Sequence, residues 1–338
     1  MDVLSRIIAA RWQGASRDYC PRWLDAVAGT EYIPETGPFI LVANHISAAD
    51  ALLLLSICYA VRDDRPAVLS KPSGFTGRHR FFYRAIGGIS YLDRWEGNEE
   101  RTAMEQVLHE GRPLLIFPEG TRGPGGELLP FQEIAFSVAA RFNVPIVPAG
   151  LVGTAQILPK GKIMPASHQS HRAMLAFGPP IELDRRMPRN ARKLALLRRS
   201  RAAIEGLLGQ LREGRPDVTA DGGRLAGLAA ALSSRLSGNR AQRRRAWERI
   251  YLLLSLARVN DPAMLDQAVI DTANRVIRPL TRPWAVPRLE RWVRHRDMRA
   301  LRLVSPASPG WPVVSCILRM NGRAVDAPLA DRPQVAAR

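Results

Sequence analysis

The chain has 338 residues and an apolar content of 46%, so it can bury a full core and is not expected to be disordered throughout. Its three cysteines, Cys20, Cys58 and Cys316, lie far apart, which excludes a disulfide framework and favours a reducing compartment. The net charge of +18 is uneven: residues 1–180 carry 18 Lys and Arg against 17 Asp and Glu, whereas residues 181–338 carry 31 against 14. This asymmetry indicates a polyanionic partner, either anionic lipid or nucleic acid.

The N-terminal segment predicts a helix over residues 2–12, with its apolar side chains on one side and Trp12 near its end. Two interpretations stay open, a helix lying in the plane of a membrane and a helix packed on the rest of the protein. The segment lacks the plan of a signal peptide. The best candidate for a membrane span, residues 51–61, is shorter than the roughly 18–20 residues required. We therefore expect a cytoplasmic protein that contacts a membrane surface without crossing it.

From residue 38 onward, short apolar runs typical of buried strands alternate with helical segments. The predicted strands cover residues 39–43, 67–71, 88–94, 113–117, 145–152 and 174–177, and the predicted helices cover 51–61, 101–109 and 134–142. This alternation predicts an α/β fold with a mostly parallel central sheet flanked by helices.

A basic, mainly helical region follows the predicted sheet. Residues 189–213 predict a long amphipathic helix rich in arginine, and the Gly-, Pro- and Asp-rich stretch 213–223 marks a domain boundary. The predicted domains are residues 1–29, an amphipathic helical segment; residues 30–215, the α/β domain; and residues 216–338, a helical extension of unknown role. Within this extension, the arginines at 243–245 and the apolar residues 250–254 have the composition of an interfacial helix on anionic phospholipid. A nucleic-acid patch and a solvated helix face are the alternatives.

His45 and Asp50 form the first candidate for chemistry. Five residues along a regular helix rotate by about 140°, so the two side chains can meet only if the chain changes conformation between them. The sequence supplies that change, because a buried strand ends near Ala43 and a helix can begin near Ala48. A carboxylate that accepts from the histidine Nδ1–H leaves Nε2 available as a general base.

The second candidate is the sequence Phe-Pro-Glu-Gly-Thr-Arg at residues 117–122, which follows another predicted strand. An acidic, glycine-containing turn at the carboxyl end of a strand lies where open α/β sheets bind ligands. The guanidinium of Arg122 offers a planar fork to a phosphate. A solvated turn with a salt bridge is the alternative interpretation.

Other kinds of site have weaker support. The chain has no GxSxG sequence, which disfavours a serine hydrolase. The pair His168 and His171 lacks a neighbouring cysteine or acidic residue, so a metal site is not expected.

Four motifs in this chain stand in the order typical of one enzyme family. They are Asn44, His45 and Asp50 of an NHxxxxD pattern, a Gly-apolar strand ending in arginine at 88–94, FPEGTR at 117–122 and a VPIVP strand at 144–148. On these motifs the chain resembles the glycerophospholipid acyltransferase family, specifically its 1-acyl-glycerol-3-phosphate acyltransferase branch. The resemblance covers residues 30–185, and Lys71 and the FGPPI element at 177–181 also resemble family features.

The resemblance implies a role for each matched position. His45 would be the general base that deprotonates the acceptor hydroxyl, and Asp50 would orient it. The hydroxyl would attack the thioester of acyl-CoA or acyl-carrier protein directly, with no covalent acyl-enzyme, no bound cofactor and no metal. The acceptor site would be shaped by Arg94, Glu119, Gly120, Thr121 and Arg122, and Pro148 would line the acyl or thioester region. The implied acceptor is 1-acyl-glycerol-3-phosphate and the product is phosphatidic acid, formed by a peripheral protein at the cytoplasmic face of a membrane.

One departure bears on the acceptor. After FPEGTR the family usually shows Phe-Lys-x-Gly, whereas this chain has Phe131, Gln132, Glu133 and Ile134. The change removes a cation that could contact phosphate and adds a negative charge. Another lyso-lipid, such as lyso-ornithine lipid, therefore stays open as the acceptor. A catalytically inactive lipid- or nucleic-acid-binding protein is the alternative from another functional class.

Overall fold

A computed structural model describes residues 23–62, 64, 66–71, 83, 87–90, 98–125, 127–159, 173–182, 185–214 and 219–232, and positions 242, 246, 249, 250, 252, 253, 256, 257 and 260. These residues fall into two compact units that divide between Asp221 and Gly222. The domain boundaries expected from the sequence stay predictions. The helix predicted over residues 2–12 lies outside the described residues.

The first unit is built on one seven-stranded sheet, in the order β1-β7-β6-β2-β5-β3-β4. Strands β2 to β6 run parallel to one another, whereas β7 is antiparallel to β6 and β1 is parallel to β7. The strands are β1 (Leu24–Ala28), β2 (Ile40–Ala43), β3 (Ala67–Ser70), β4 (Gly88–Ser90), β5 (Leu114–Ile116), β6 (Ile146–Val152) and β7 (Ala173–Phe177). The predicted mostly parallel α/β fold is therefore confirmed.

Helices cover the sheet and complete its core. They are α1 (Ala49–Val61), α2 (Asn98–His109), α3 (Ile134–Phe142), α4 (Thr154–Ile157), α5 (Arg189–Arg212) and α6 (Thr219–Leu232), with a short 3-10 helix at Thr30–Tyr32. Helix α5 packs on β6, β7 and α3. None of the described helices is long and apolar enough to cross a membrane.

The central strand β2 shows why these residues form a buried sheet. Its four residues Ile-Leu-Val-Ala are all fully buried, as expected of a parallel strand covered on both faces. It pairs with β5 on one side and β6 on the other, so the chain segments after these three strands emerge at one edge of the sheet. We call this the carboxyl edge, and the opposite edge, where these strands begin, the amino edge.

A buried arginine fastens the amino edge. Arg62, which follows α1, is fully buried and donates to the carbonyl oxygens of Pro34, Gly37 and Gly111. Its Nε lies 2.6 Å from Oδ1 of Asp64. One guanidinium thus joins the entry to β2, the end of α1 and the turn before β5, and the paired carboxylate and carbonyls offset the cost of burying its charge.

The outer strand β1 joins the sheet through a glycine. Gly29 has φ +73°, a conformation that favours glycine, and a Cβ there would lie 2.0 Å from the carbonyl oxygen of Phe177. No larger residue fits this position without moving β7. The close approach lets the chain turn directly after β1 where it lies beside β7.

In the second unit, the described positions Ile250, Leu252, Leu253 and Leu256 are at most 3% exposed. These include apolar residues that the sequence suggested for an interfacial helix. Because they are already buried in the protein, they are not available to insert into a bilayer. The arginines at 243–245 lie outside the described residues.

Candidate active site

Predicted site residues from separate motifs meet at the carboxyl edge of the sheet. His45 follows β2 and Glu119 follows β5, whereas the predicted residue Pro148 lies within β6. Because β2, β5 and β6 are adjacent and parallel, the segments that leave them lie side by side. This is the edge at which open α/β sheets bind ligands.

His45 and Asp50 form a hydrogen-bonded pair. Nδ1 of His45 lies 2.9 Å from Oδ2 of Asp50. The Asp50 side chain is fully buried, whereas that of His45 is 20% exposed. In the tautomer in which Nδ1–H donates to the Asp50 carboxylate, Nε2 keeps its lone pair. Nε2 has no hydrogen-bond partner among the described residues, so it is available to a substrate.

The backbone around Asp50 explains why the pair forms. Oδ2 also accepts from the backbone N–H groups of Ile46 and Ser47, each at 2.8 Å. Helix α1 begins at Ala49, and the Ser47 Oγ accepts from the Ala49 N–H at 3.1 Å. The carboxylate therefore lies in the first turn of a helix, where negative charge is favoured, and it organises the turn that carries the histidine.

The imidazole of His45 is held from one face by Phe117. The two rings stack with centroids 4.0 Å apart and an angle of 17° between their planes. Together with the Asp50 contact, this stacking fixes both the position and the rotation of the imidazole. A histidine held in this way needs little reorganisation to accept a proton.

Asn44 anchors the other end of the motif. Its amide nitrogen donates to the Leu151 carbonyl oxygen at 3.0 Å, and its side-chain oxygen accepts from the Leu151 N–H at 2.8 Å. Asn44 thus pairs with the β6 backbone as a strand residue would. The contact fixes the point at which the chain leaves β2 and turns toward His45.

Glu119 holds the histidine through the backbone. Its Oε1 accepts from the His45 N–H at 2.7 Å, and its Oε2 accepts from the Leu129 N–H at 3.0 Å. The His45 carbonyl accepts from the Gly123 N–H at 2.7 Å. The turn at residues 117–123 therefore clamps both sides of the His45 peptide. The sequence predicted a substrate-binding role for Glu119; its observed contacts are with the protein itself.

Gly120 lies beneath Gln132. Gly120 has φ +63°, and a Cβ there would lie 2.7 Å from the Gln132 amide. The backbone N–H of Gln132 donates to the Pro118 carbonyl at 2.8 Å, which holds the Gln132 backbone beside the turn. A neutral amide thus occupies the position where the family usually has lysine.

The other departures from the family pattern have structural explanations. Oε2 of Glu133 lies 2.6 Å from Nζ of Lys193 on α5, so the extra negative charge is neutralised by a cation outside the motif. Ile134 begins α3 and packs against the core. Neither residue therefore places an unpaired charge in the site.

Of the remaining predicted site residues, the structure describes Thr121, Arg122 and Pro148. Thr121 is exposed, and Arg122 is half-buried with no hydrogen bond or ion pair within the described part of the chain. Pro148 lies in β6 opposite Val42 of β2, and its carbonyl accepts from the Gly178 N–H at 2.8 Å. Arg94, by contrast, lies outside the described residues, so its predicted role on a phosphate stays a prediction.

Cys58 of α1 is a fully buried free cysteine. Burial raises the pKa of Cys58 to about 12, so its thiol stays protonated at neutral pH. The described residues contain no group of three His, Cys, Asp or Glu side chains that could hold a metal ion. His168 and His171 lie outside the described residues.

The chain is similar to a known protein family and to several curated proteins. Residues 26–152 match the family model described as Acyltransferase. The chloroplastic 1-acyl-sn-glycerol-3-phosphate acyltransferase BAT2 of Brassica napus is 30% identical over 172 residues, which cover 50% of this chain and 48% of that protein. A 1-acyl-sn-glycerol-3-phosphate acyltransferase of Chlamydomonas reinhardtii is 33% identical over 156 residues, covering 45% of each chain. The chain spans about half the length of these relatives.

Among solved structures, the 1-acyl-sn-glycerophosphate acyltransferase PlsC of Thermotoga maritima matches with a TM-score of 0.46 and 24% identity, covering 60% of this chain and 80% of that one. The family model itself covers residues 26–152, which is the part of the chain that resembles an acyltransferase domain. Within that family, the resemblance to the 1-acyl-glycerol-3-phosphate acyltransferase branch, predicted from the four motifs, is confirmed by the curated relatives.

Proposed function

We propose that this protein transfers a fatty acyl group from an acyl thioester to the hydroxyl of a lysophospholipid. The observation that carries the proposal is the His45–Asp50 pair, with Nδ1 bound to a buried carboxylate and Nε2 available at the carboxyl edge of the sheet. The acceptor proposed first is 1-acyl-glycerol-3-phosphate, because the curated relatives bear that substrate in their names.

The proposed chemistry uses one histidine twice. His45 Nε2 takes the hydroxyl proton as the acceptor oxygen bonds to the thioester carbonyl carbon. The tetrahedral intermediate then collapses, its C–S bond breaks, and the imidazolium returns the proton to the leaving thiolate. Asp50 stabilises the imidazolium between these steps. The products are the acylated lipid and a free thiol, with no covalent acyl-enzyme.

The proposed acceptor headgroup follows from the charged and polar side chains near the turn, and the proposed donor follows from the thioester that the reaction uses. Arg122 is the half-buried cation in the turn at residues 117–123, and a guanidinium suits a phosphate headgroup. Lyso-ornithine lipid is the second acceptor to test, because Gln132 replaces the family lysine. Acyl-CoA and acyl-carrier protein present the same thioester and are both proposed as donors.

Partners and location follow from the substrate. We propose that the protein works as a peripheral protein on an anionic membrane surface at the cytoplasmic face, where its lipid acceptor lies. The excess of basic residues after position 180 supports this electrostatic attachment. Nucleic acid is the less favoured partner.

The test of the proposal is His45→Ala in the full chain. We expect transfer from acyl-CoA or acyl-carrier protein to 1-acyl-glycerol-3-phosphate to fall by about 10²- to 10⁴-fold, because the variant lacks the general base. The matched control is His109→Ala, since His109 is exposed at the end of α2 and contacts only the edge of Phe142 among the described rings. A panel of lyso-lipids, assayed with the unmodified protein, identifies the acceptor.

Two results would contradict the proposal. If His45→Ala kept the acylation rate of the unmodified protein, His45 would not be the base. If the unmodified protein acylated no lyso-lipid with either donor but still bound vesicles, the inactive lipid-binding alternative would replace the enzyme.

A further inference from the structure

Arg201 of α5 makes an unusual set of contacts outside the site. Its Nη1 donates to the Leu129 carbonyl at 2.9 Å, and its Nη2 donates to the Leu128 carbonyl at 3.2 Å. Its guanidinium lies over the Phe131 ring at 5.3 Å, and its Nε lies 3.0 Å from Oε1 of Glu205 one turn along α5. The guanidinium is therefore held by several partners and binds consecutive carbonyls in one loop.

The loop that Arg201 binds, residues 127–132, has no regular secondary structure of its own. Among the described residues, Arg201 is the donor to the carbonyl oxygens of Leu128 and Leu129. A loop of this kind takes its position from the groups that bind its backbone. Helix α5 is a suitable anchor because it packs firmly on β6, β7 and α3.

The same loop reaches the histidine through a single carboxylate. The Leu129 N–H donates to one oxygen of Glu119, and the His45 N–H donates to the other. Space around this carboxylate is tight, since a Cβ on Gly123 would lie 3.0 Å from Glu119 Oε2. A displacement of Leu129 therefore changes the rotamer of Glu119 or leaves it short of a donor, and either change disturbs the His45 backbone.

We propose that Arg201 is a positioning residue for His45, acting through the 127–132 loop and Glu119. This inference rests on the proposed acyl transfer and extends it to a residue on a different element. Arg201 touches no reacting atom. It keeps Leu129 on Glu119, and Glu119 keeps the imidazole aligned with Asp50 and Phe117, so its loss lowers the turnover rate more than the affinity for either substrate.

The experiment compares Arg201→Gln and Arg201→Lys with Arg198→Gln in the full chain. Arg198 is one turn earlier on α5, is exposed, and makes no hydrogen bond or ion pair with the described residues, so it controls for loss of positive charge. We expect kcat to fall about tenfold in Arg201→Gln, with both KM values within about twofold of the unmodified protein. Arg201→Lys should be intermediate, because an ammonium keeps the charge but not the two-pronged geometry.

A second readout does not depend on catalysis. The chain has six histidines, so isotope labelling of histidine gives few imidazole signals, and His45→Ala identifies that of His45. We expect the His45 signal to shift in Arg201→Gln and to stay unchanged in Arg198→Gln. If this shift occurred in a protein without acyltransferase activity, the positioning role would stand and the proposed function would fall.

Two outcomes would overturn the inference. One is an unchanged His45 signal and kcat in both Arg201 variants, measured per folded molecule from a thermal melt. The other is an equal loss of kcat in Arg198→Gln, which would assign the effect to general charge. If Arg201→Gln did not fold, Arg201→Lys would decide between these outcomes by the same measurements.

Discussion

At the scale of single residues, the described part of the proposed acceptor site combines an arginine, Arg122, with a neutral amide, Gln132. Arg122 is half-buried without a partner among the described residues, and Gln132 lies over Gly120 in the same turn. Two other described cations already have partners, since Lys193 pairs with Glu133 and Arg201 binds backbone carbonyls. Among the described residues, the proposed site therefore offers an anionic headgroup fewer charged donors than the family pattern would.

Replacing Gln132 with lysine should change acceptor selectivity. A cation at this position can make a charge-assisted hydrogen bond to a phosphate, which contributes about 1.5–3 kcal/mol. We expect Gln132→Lys to raise kcat/KM for 1-acyl-glycerol-3-phosphate by about tenfold or more relative to lyso-ornithine lipid. The measurement is a competition assay with both acceptors present.

The control for this variant is Glu133→Gln, which also makes the local charge more positive by one unit. Because Glu133 is paired with Lys193 of α5, its neutralisation should leave the ratio of acceptors nearly unchanged. The same change of ratio in both variants would show that net charge, rather than a contact at position 132, sets selectivity.

The local geometry of the site could be predicted from the sequence, but its long-range contacts could not. His45 and Asp50 were expected to meet because a strand ends before them and a helix begins between them, and the structure brings them to 2.9 Å. The contacts of Glu119 with His45 and of Arg201 with Leu129 join residues 74 and 72 positions apart. Nothing in the spacing of α5 distinguishes Arg201 from the other arginines of that helix, so only the folded chain identifies it.

At the scale of elements, the sequence predicts helix and strand bounds accurately where the apolar pattern of one segment alone decides its structure. Helix α3 was predicted over its observed residues, and β2 and β6 within one residue. The prediction missed β1, whose sequence Leu-Asp-Ala-Val-Ala is short and interrupted by a charge. The antiparallel direction of β7 was also missed, because direction depends on the connection between strands and not on either strand's composition.

The buried Arg62 gives a stability prediction at this scale. Arg62→Met leaves three carbonyl oxygens without this donor and removes the partner of Asp64, so we expect the free energy of unfolding to fall by about 2–4 kcal/mol. Denaturant unfolding measures the change. Turnover per folded molecule should be preserved, because Arg62 lies at the amino edge and His45 at the opposite one.

Arg199→Met is the matched control, since Arg199 is an exposed residue of α5 without an ion pair among the described residues. Its effect on the free energy of unfolding should stay within about 0.5 kcal/mol. If the two substitutions lowered the free energy of unfolding equally, Arg62 would not specifically stabilise the amino edge.

At the scale of the whole molecule, charge and burial point to electrostatic attachment. Most of the net charge of +18 follows residue 180, whereas the apolar residues described near position 250 are buried. We expect such a protein to adhere to an anionic surface through its basic side chains, each of which contributes about 1 kcal/mol close to a membrane. Because those apolar side chains are buried, we do not expect them to insert into the membrane.

Vesicle sedimentation tests this attachment. We expect binding to vesicles that contain anionic phospholipid, and little binding to vesicles of neutral phosphatidylcholine alone. Raising the salt from 0.1 M to 1 M shortens the Debye length from about 10 Å to about 3 Å and should release the protein. Equal binding to both vesicles, or binding that persists at high salt, would point instead to hydrophobic insertion.

The pairing of β1 with β7 has a consequence for synthesis on the ribosome. Leu24 pairs with Ala173, so the first strand must wait for almost 150 further residues before its partner exists. Until then its backbone donors and acceptors are exposed, as in an unpaired edge strand. Contacts between such distant segments form slowly, so the nascent domain passes through a long aggregation-prone interval. Chains arrested before residue 177 should therefore depend on chaperones more than chains released after it.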